Sequence, residues 1–302
     1  MIEYNNNILR GFYYNNNICS RVYWNDKLVF PEAEPFWVRI LPENSDNCNI
    51  YYLVKNDAWS VTPPQRKKLY YSLDRVNWTE IHLYGYDGYY ESINVSPGTR
   101  VYFKGDSQAF FYQNNTGWVS SGIYADKYCE VGGNLMSLFD NGTLPDHACS
   151  YFLSEYSDDP MGIMRGSTLK SSAELILPNS TSPYCYQGMF SWCTILNKIP
   201  ALPSLTLSLC CYMDMFAGCY ALKQVPLLPA NILSDYCYYY MFNRCYSLKF
   251  SQTQTSGYPN AYRINGTSGL YSLQDMFTNT GGTFTGTPQI NTTYYTNATI
   301  IS

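Results

Sequence analysis

The side chains best suited to chemistry in this chain are its 11 cysteines and two histidines. A nucleophilic thiol needs a neighbouring base, and Cys149 with His147 is the closest such pair. The two residues would share a face of a strand, but no third group marks a partner that orients the histidine. Zinc sites use close pairs such as C-x2-C, whereas these cysteines recur as C-x7-C and the only close pair is Cys210 with Cys211. Disulfides are the other alternative, although they are typical of small secreted chains. We predict reduced, buried cysteines that act as small apolar residues, with no metal and no cofactor.

The acidic residues offer no clearer site. Their densest group is Glu155, Asp158 and Asp159, before Pro160. A calcium site needs about six oxygen ligands, so a solvated turn is the simpler interpretation. Glycoside hydrolysis needs two juxtaposed carboxylates, and no motif selects a pair. The sequence also lacks the phosphate-binding loop, the dinucleotide motif, H-E-x-x-H and G-x-S-x-G. We therefore predict that the chain is not an enzyme.

Amino-acid composition and charge limit the classes of protein to which the chain can belong. The 302 residues carry a net charge of −4, and only 14 % of them are charged, against about 25 % in an ordinary soluble domain. A nucleic-acid binder usually has a basic domain or stripe, so nucleic acid is not an expected partner. No apolar run approaches the roughly 18 residues of a membrane span, and no signal peptide is visible at the start. The composition predicts a soluble, tyrosine-rich chain of about two domains.

A 26-residue repeat organises the middle of the chain. Each copy has a Cys, a Met-Phe pair, a second Cys and a Leu at the same spacing. A period of this length indicates that successive copies stack and bury a common core. The predicted repeat-core residues are Cys185, Met189, Phe190, Cys193, Leu196, Cys211, Met215, Phe216, Cys219, Leu222, Cys237, Met241, Phe242, Cys245 and Leu248.

The spacing within each copy predicts an α-helix. Positions i, i+1, i+4, i+5 and i+8 are apolar and lie on one helical face. Ser182, Ser208 or Ser234 stands three residues before the first Cys, where it can cap the helix, and Pro183 suits the first helical position. A proline-containing segment such as 199–203 then favours an extended rung. The predicted fold class is α+β, with a β-rich N-terminal module followed by a short leucine-rich-repeat solenoid.

The motif C-Y-x2-M-F-x2-C-x2-L-x3-P-x-L-P resembles the BspA-type leucine-rich repeats of surface proteins from gut and oral bacteria and from their phages. The match covers about residues 178–250. Segments 131–139 and 172–178 are similar to degenerate first copies. Segment 273–277 is similar to a last copy, in which Thr280 replaces the second Cys. Atypical terminal copies are expected of stacked repeats.

Short β-strands are predicted before the repeat, because aromatic and β-branched runs alternate with turn residues there. Segments 70–78 and 98–105 are similar to β modules that precede such repeats in Bacteroidetes-type surface and virion proteins. Segment 21–30 is similar to the beginnings of appendage proteins in gut phages, including the crAss-like group. The predicted divisions are 1–60, short strands of an attachment segment; 61–125, an antiparallel β module; 126–250, the solenoid; and 251–302, a degenerate repeat with a C-terminal cap.

Aromatic residues outside the apolar stripe are the candidates for binding. Tyr and Trp offer a large, rigid contact area with a polar tip. Tyr220 and Tyr246 are expected to form a ladder, because they occur one repeat apart. Trp192, Tyr239 and Tyr240 lie off the predicted stripe. A patch for a glycan or a partner subunit is one interpretation, and packing between repeats is the other.

The resemblance implies a phage virion structural protein, a head or tail appendage or decoration that is assembled in the host cytoplasm. Its N-terminal part would contact other virion proteins, its repeats would contact host-surface or mucus glycans, and a homo-oligomer is expected. The alternative is a BspA-like adhesin on a bacterial cell surface, and an enzyme comes third.

Overall fold

The structure, a computed structural model, divides into two compact units, residues 1–34 and 35–302. The first unit contains two antiparallel hairpins: β1 (Phe12–Tyr14) with β2 (Asn17–Cys19), and β3 (Val22–Trp24) with β4 (Lys27–Phe30). Besides these strands, the described residues are 34–56, 69–81, 90–105, 111–114, 117–139, 144–154 and 167–302.

Two sheets form the N-terminal part of the second unit. Their strands are β5 (Phe36–Ile40), β6 (Cys48–Asn56), β7 (Leu69–Ser72), β8 (Thr79–Ile81), β9 (Tyr90–Val95), β10 (Arg100–Gly105), β11 (Phe111–Asn114), β12 (Gly117–Ala125), β13 (Cys129–Asn134) and β14 (Leu169–Ile176). The six-stranded sheet has the order β14-β13-β5-β10-β7-β8, and the four-stranded sheet has the order β11-β12-β6-β9. All pairings are antiparallel except β13 with β14. Strands β5 and β6, which the sequence assigns to the attachment segment, therefore share these sheets with the strands of residues 61–125.

Alternation of side chains explains why these strands pair as they do. In β10, Val101 and Phe103 are buried, while Tyr102 between them is only half-buried. Successive side chains of a strand point to opposite faces, so one face of the sheet joins the core. Phe36 of β5 packs there against Phe103, with ring centroids 6.1 Å apart.

The predicted α-helices are wrong, and with them the α+β leucine-rich-repeat class. In the part of the chain that the structure describes, the one helical element is a single 3-10 turn at Leu135–Leu138. Each segment predicted as a helix is instead a run of consecutive tight turns, which we call a turn ribbon. The ribbons are residues 146–153, 183–192, 209–218, 235–244 and 270–279.

Two alternating sets of backbone hydrogen bonds build each ribbon. The N–H groups of Cys185 and Met189 donate to carbonyls three residues earlier and close tight turns. The N–H of Tyr186 donates instead to the carbonyl of Cys211 in the next ribbon, 3.0 Å away. An α-helix places these bonds within one segment, whereas here half of the donors join neighbouring ribbons. Because buried backbone groups must be paired, a single ribbon is incomplete without its neighbours.

Every fourth residue of a ribbon has a positive φ. In the second ribbon these residues are Tyr184 (57°), Gly188 (57°) and Trp192 (63°). The left-handed conformation costs roughly 1–2 kcal/mol for a residue other than glycine, and the hydrogen bonds between ribbons offset that cost.

The apolar pattern does not distinguish a four-residue period from the 3.6-residue period of a helix over so short a segment. Both periods place i, i+1, i+4, i+5 and i+8 on one face. Gly188 and Gly218, which stand inside the predicted helices, are the sequence signal that favours the ribbon. Glycine is unfavourable in a helix interior but adopts a positive φ at no steric cost.

Equivalent side chains line up in columns through the stack of ribbons. All the predicted repeat-core residues are fully buried, with no exposed surface. Phe216 stacks on Phe190 and on Phe242, with centroid distances of 5.5 and 5.8 Å and interplanar angles of 4° and 6°. Tyr186, Tyr212 and Tyr238 form a second stacked column. The core therefore runs continuously along the stack.

Thiols and hydroxyls add links between coils, where a coil is one ribbon with the segment that leads to the next. Two of the three serines predicted as helix caps are such links: Ser208 Oγ donates to the carbonyl of Thr181 in the preceding coil at 2.8 Å, and Ser182 Oγ to that of Pro145 at 2.6 Å. The second cysteine of each copy also donates its Sγ to the preceding coil. These thiol bonds are Cys193 to the Leu153 carbonyl (3.2 Å), Cys219 to that of Phe190 (3.2 Å) and Cys245 to that of Phe216 (3.0 Å).

The length of a coil varies along the stack. Equivalent residues in contact are 37 positions apart between the first two ribbons (Ser154 and Ser191), 26 apart between the next (Gln187 and Met213) and 35 apart between the last two (Asp235 and Leu270). The ribbons keep their register nonetheless.

The first ribbon lies against the β sheets. It comprises residues 146–153 and lies outside both segments that resemble degenerate first copies: segment 131–139 forms most of β13 and the 3-10 turn, and segment 172–178 lies largely in β14. Phe152 of this ribbon packs on Phe36 of β5, with ring centroids 5.7 Å apart. The sheets thereby cover the first end of the stack.

A second group of strands follows the third ribbon and covers part of the other end. They are β15 (Gln224–Pro226), β16 (Lys249–Ser251), β17 (Asn260–Arg263), β18 (Gly281–Gly282), β19 (Thr293–Thr296) and β20 (Thr299–Ile301). The order is β17-β19-β16-β18 in one sheet, and β15 pairs with β20. Phe277 of the last ribbon stacks on Phe250 of β16 with centroids 3.8 Å apart. Among the described residues no helix has the length and apolarity that crossing a bilayer requires.

The Gly218→Ala variant distinguishes a ribbon from a helix, because the two structures predict changes of opposite sign in the free energy of unfolding. In a helix interior alanine would add about 1 kcal/mol of stability. In the ribbon Gly218 has a φ of 76°, and a Cβ would lie 3.0 Å from the Trp192 ring. We expect a loss of roughly 1–2 kcal/mol in the free energy of unfolding, measured by urea titration. Gly257→Ala is the control, since a Cβ there meets nothing nearer than 3.7 Å. A stabilised Gly218→Ala protein would contradict the ribbon.

Candidate binding surface

The left-handed residues form the outer surface of the stack, which we call the ribbon face. They occupy the same three positions in successive ribbons, between the buried columns, and most are half-buried or exposed. The ribbon face consists of His147, Tyr151, Tyr184, Gly188, Trp192, Cys210, Asp214, Gly218, Tyr236, Tyr240, Arg244, Tyr271, Asp275 and Asn279.

One row of aromatic rings crosses three coils. Trp192 and Tyr220 meet edge to face with centroids 6.1 Å apart, and Tyr220 and Tyr246 are 4.9 Å apart. The Trp192 ring lies over Gly218, so close that a Cβ there would be 3.0 Å from the ring. The guanidinium carbon of Arg244 lies 5.5 Å from the centroid of the Trp192 ring, a cation–π distance. We call Trp192, Tyr220, Tyr246 and Arg244 the tryptophan row.

The structure places Tyr239 and Tyr240 in a different cluster. Their rings are 4.2 Å apart, Tyr239 also meets Tyr236 at 5.6 Å, and Tyr236 contacts Tyr271 of the last ribbon at 5.3 Å. Of the five predicted binding residues, three therefore belong to the tryptophan row and two to this tyrosine cluster.

Sequence reasoning missed several residues of the ribbon face. Tyr184 and Tyr236 each directly precede the first Cys of a copy, so their recurrence was visible in the repeat. Tyr271 precedes the equivalent Ser272 in the last copy. Arg244 carries no such signal, because the equivalent positions hold Trp192 and Gly218. Only the register of the coils brings its guanidinium to the tryptophan.

The surroundings shift the pKa values of several titratable groups on and beside this surface, and the shifts of Asp214 and Tyr239 are among the large ones. Burial raises the pKa of Asp214 from 3.8 to about 6. A hydrogen bond with Tyr240 raises the pKa of Tyr239 to about 12. Tyr239 and Asp214 belong to neighbouring ribbons, joined by the bond from the Asp214 N–H to the Tyr239 carbonyl at 2.9 Å. At neutral pH the Tyr239 hydroxyl is therefore protonated.

The candidate thiol nucleophile is not arranged for catalysis. Cys149 is fully buried, and burial raises the pKa of its thiol well above the ordinary value. His147 lies on the ribbon face, where its ring stacks on Tyr184 with centroids 4.5 Å apart. A nucleophilic cysteine is a thiolate in a partly exposed, electropositive place, and Cys149 is the opposite. The ten cysteines that the structure describes are all buried free thiols.

No metal centre is formed by the described residues, which contain no cluster of three or more His, Cys, Asp or Glu side chains placed to hold an ion. The acidic group at Glu155, Asp158 and Asp159 lies outside the described residues.

Comparisons with protein-family models, with curated proteins and with solved structures find no match to this chain. The function must therefore be argued from the surface itself.

The pH dependence of stability in an Asp214→Asn variant tests whether burial disfavours the ionised carboxylate. The native state disfavours the ionised carboxylate. The stability that the protonated Asp214 contributes is therefore fully present below pH 3.8, the ordinary pKa, and is lost as the pH rises through about 6. We expect the asparagine variant to escape that loss and to gain about 3 kcal/mol over wild type by pH 7.5. Urea unfolding at a series of pH values measures the difference.

Asp275→Asn is the matched control, because Asp275 is the equivalent left-handed residue of the last ribbon, with a φ of 56° against 54° for Asp214. It reports what an amide does to this backbone conformation. A gain for Asp214→Asn that is already complete at pH 3.5 would contradict the assignment to ionisation.

Proposed function

We propose that the chain is a non-enzymatic adhesion protein whose tryptophan row binds a glycan. The observation that carries this proposal is the alignment of Trp192, Tyr220 and Tyr246 across three coils. The coil-to-coil hydrogen bonds hold the three rings in a fixed row before any ligand arrives.

Fixed aromatic rings suit a carbohydrate chain. The apolar C–H face of a sugar ring stacks on an aromatic face, while its hydroxyls need polar partners at the rim. Here the tyrosine hydroxyls and the Arg244 guanidinium, with its five donors, supply those partners. Because the hydrogen bonds between coils fix the backbone that carries these rings, little conformational freedom is lost when a ligand binds.

The placement that we propose is a phage virion, as an appendage or decoration of the head or tail. Its support is the similarity of the repeat motif and of segment 21–30 to such proteins. On this proposal the N-terminal part contacts other virion proteins, the chain forms a homo-oligomer, and the stack faces host-surface or mucus glycans. The alternative, a BspA-like adhesin on a bacterial surface, shares the glycan-binding row and differs in its location.

Tyr246→Ala tests the tryptophan row. Tyr246 is 53 % exposed, so its removal leaves the buried columns intact. We expect its loss to weaken glycan binding about 2- to 10-fold, the equivalent of one aromatic contact. Affinity electrophoresis against surface polysaccharides of gut bacteria and against mucin glycans measures the effect.

Tyr128→Ala is the control, since Tyr128 is 45 % exposed and lies outside the stack. Equal binding by both variants, or no retention of the wild-type chain by any of these glycans, would refute the glycan proposal.

Purified particles test the placement. We expect mass spectrometry of phage virions to detect the chain, and an antibody against residues 180–250 to label the outside of intact particles. Detection in the bacterial envelope instead would favour the adhesin and contradict the virion.

A further inference from the structure

The edge of the last turn ribbon carries two backbone donors that are left without a partner. In the ribbon before it, the N–H groups of Tyr236 and Tyr238 donate to the carbonyls of Leu270 and Ser272 in the last ribbon. The equivalent donors of the last ribbon are the N–H groups of Tyr271 and Leu273. Within the part of the chain that the structure describes, neither has an acceptor.

The C-terminal segment satisfies only the second half of this edge. The N–H of Asp275 donates to Thr287 Oγ1 at 2.8 Å, and that of Phe277 donates to the Gly286 carbonyl at 2.9 Å. Residues 286–287 thus stand where a further coil would pass. Over the first half of the edge the chain diverges from that path.

A cleft occupies the place of the missing coil. Its volume is about 530 Å³, and it is lined on one side by Tyr271, Ser272 and Leu273 and on the other by Thr287, Pro288 and Gln289. Both walls are fixed: Tyr271 packs on Tyr236, and the Gln289 N–H donates to the Tyr294 hydroxyl at 3.0 Å. The volume is within the range of ordinary ligand sites, roughly 300–1,000 Å³.

We propose that this cleft binds a polypeptide segment of a partner protein, whose carbonyls at residues i and i+2 accept the N–H groups of Tyr271 and Leu273. The intact stack contains the same arrangement four times. Pro183 and Cys185 supply such a pair of carbonyls to the first ribbon, and the later ribbons do so in turn. Addition of a segment to an unpaired backbone edge is a common mode of peptide recognition.

The charged residues of the cleft limit which partner segments can bind there. Asp275 is the one acidic residue among those that line the cleft, and no Lys, Arg or His lies among them. A carboxylate at the rim repels an acidic peptide and attracts a basic one. The segment that fits is therefore neutral or basic. This peptide site is separate from the tryptophan row and does not rest on the glycan proposal.

Hydrogen exchange on the full chain tests the site. The probe is the acetylated and amidated peptide Ser-Pro-Tyr-Cys-Tyr-Gln, the sequence of residues 182–187, which presents the carbonyls of Pro183 and Cys185 to the first ribbon. At nine times its Kd the peptide occupies 90 % of the sites, so exchange of the amides in segment 270–274 should slow about tenfold. The all-D peptide has the same composition but the wrong hand, and should give no protection.

Gln289→Trp fills the cleft from an exposed position whose side chain makes no hydrogen bond among the described residues, and should abolish the protection. Thr285→Trp, also exposed but outside the lining, should leave it unchanged. The proposal fails if the L-peptide protects no better than the D-peptide, or if Gln289→Trp has no effect. It also fails if an N-acetylhexosamine oligosaccharide protects segment 270–274 and the peptide does not, because the cleft is then a sugar subsite.

Discussion

In the first four ribbons one backbone N–H closes a tight turn and the next donates to the neighbouring coil. This alternation decides how the central part of the molecule is built. A helix is complete in its own hydrogen bonds and needs neighbours only for its side chains. A ribbon needs neighbours for half of its backbone donors as well. The coils must therefore stack in one register, and each end of the stack requires a cover of different structure, the β sheets at one end and the C-terminal strands at the other.

The same register explains the residue types in the columns. Flat rings at equivalent positions meet face to face at the spacing of the coils, as Phe190, Phe216 and Phe242 do. The second cysteine of each copy is small enough for a fully buried position, and its thiol still donates a hydrogen bond to the preceding coil. Burial raises the pKa of the Cys245 thiol, which holds it in the protonated form that can donate. The cysteines thus serve structure through a weak donor rather than through chemistry.

Much of this arrangement could be predicted from the repeat, but the local backbone and the position of the first coil could not. The 26-residue spacing picks out side chains that lie buried together, because equivalent positions of stacked coils face the same core. It did not distinguish a ribbon from a helix, because periods of 4 and 3.6 residues nearly coincide over nine residues. Ser182 and Ser208 were mistaken for caps for a related reason: both a helix start and a coil-to-coil link place a hydroxyl there. The open edge at Tyr271 and Leu273 had no sequence signal, since it depends on where residues 286–290 leave the stack.

The unequal intervals between ribbons show where this architecture accepts extra chain. Both the 26-residue and the 35-residue intervals return the backbone to the same register. The longer interval contains β17, which joins the C-terminal sheet. The extra residues are thus accommodated in the segment between two ribbons, outside the hydrogen-bonded face, and no column of equivalent side chains shifts. Insertions in that segment can add new surface or new strands while the ribbons on either side keep their contacts.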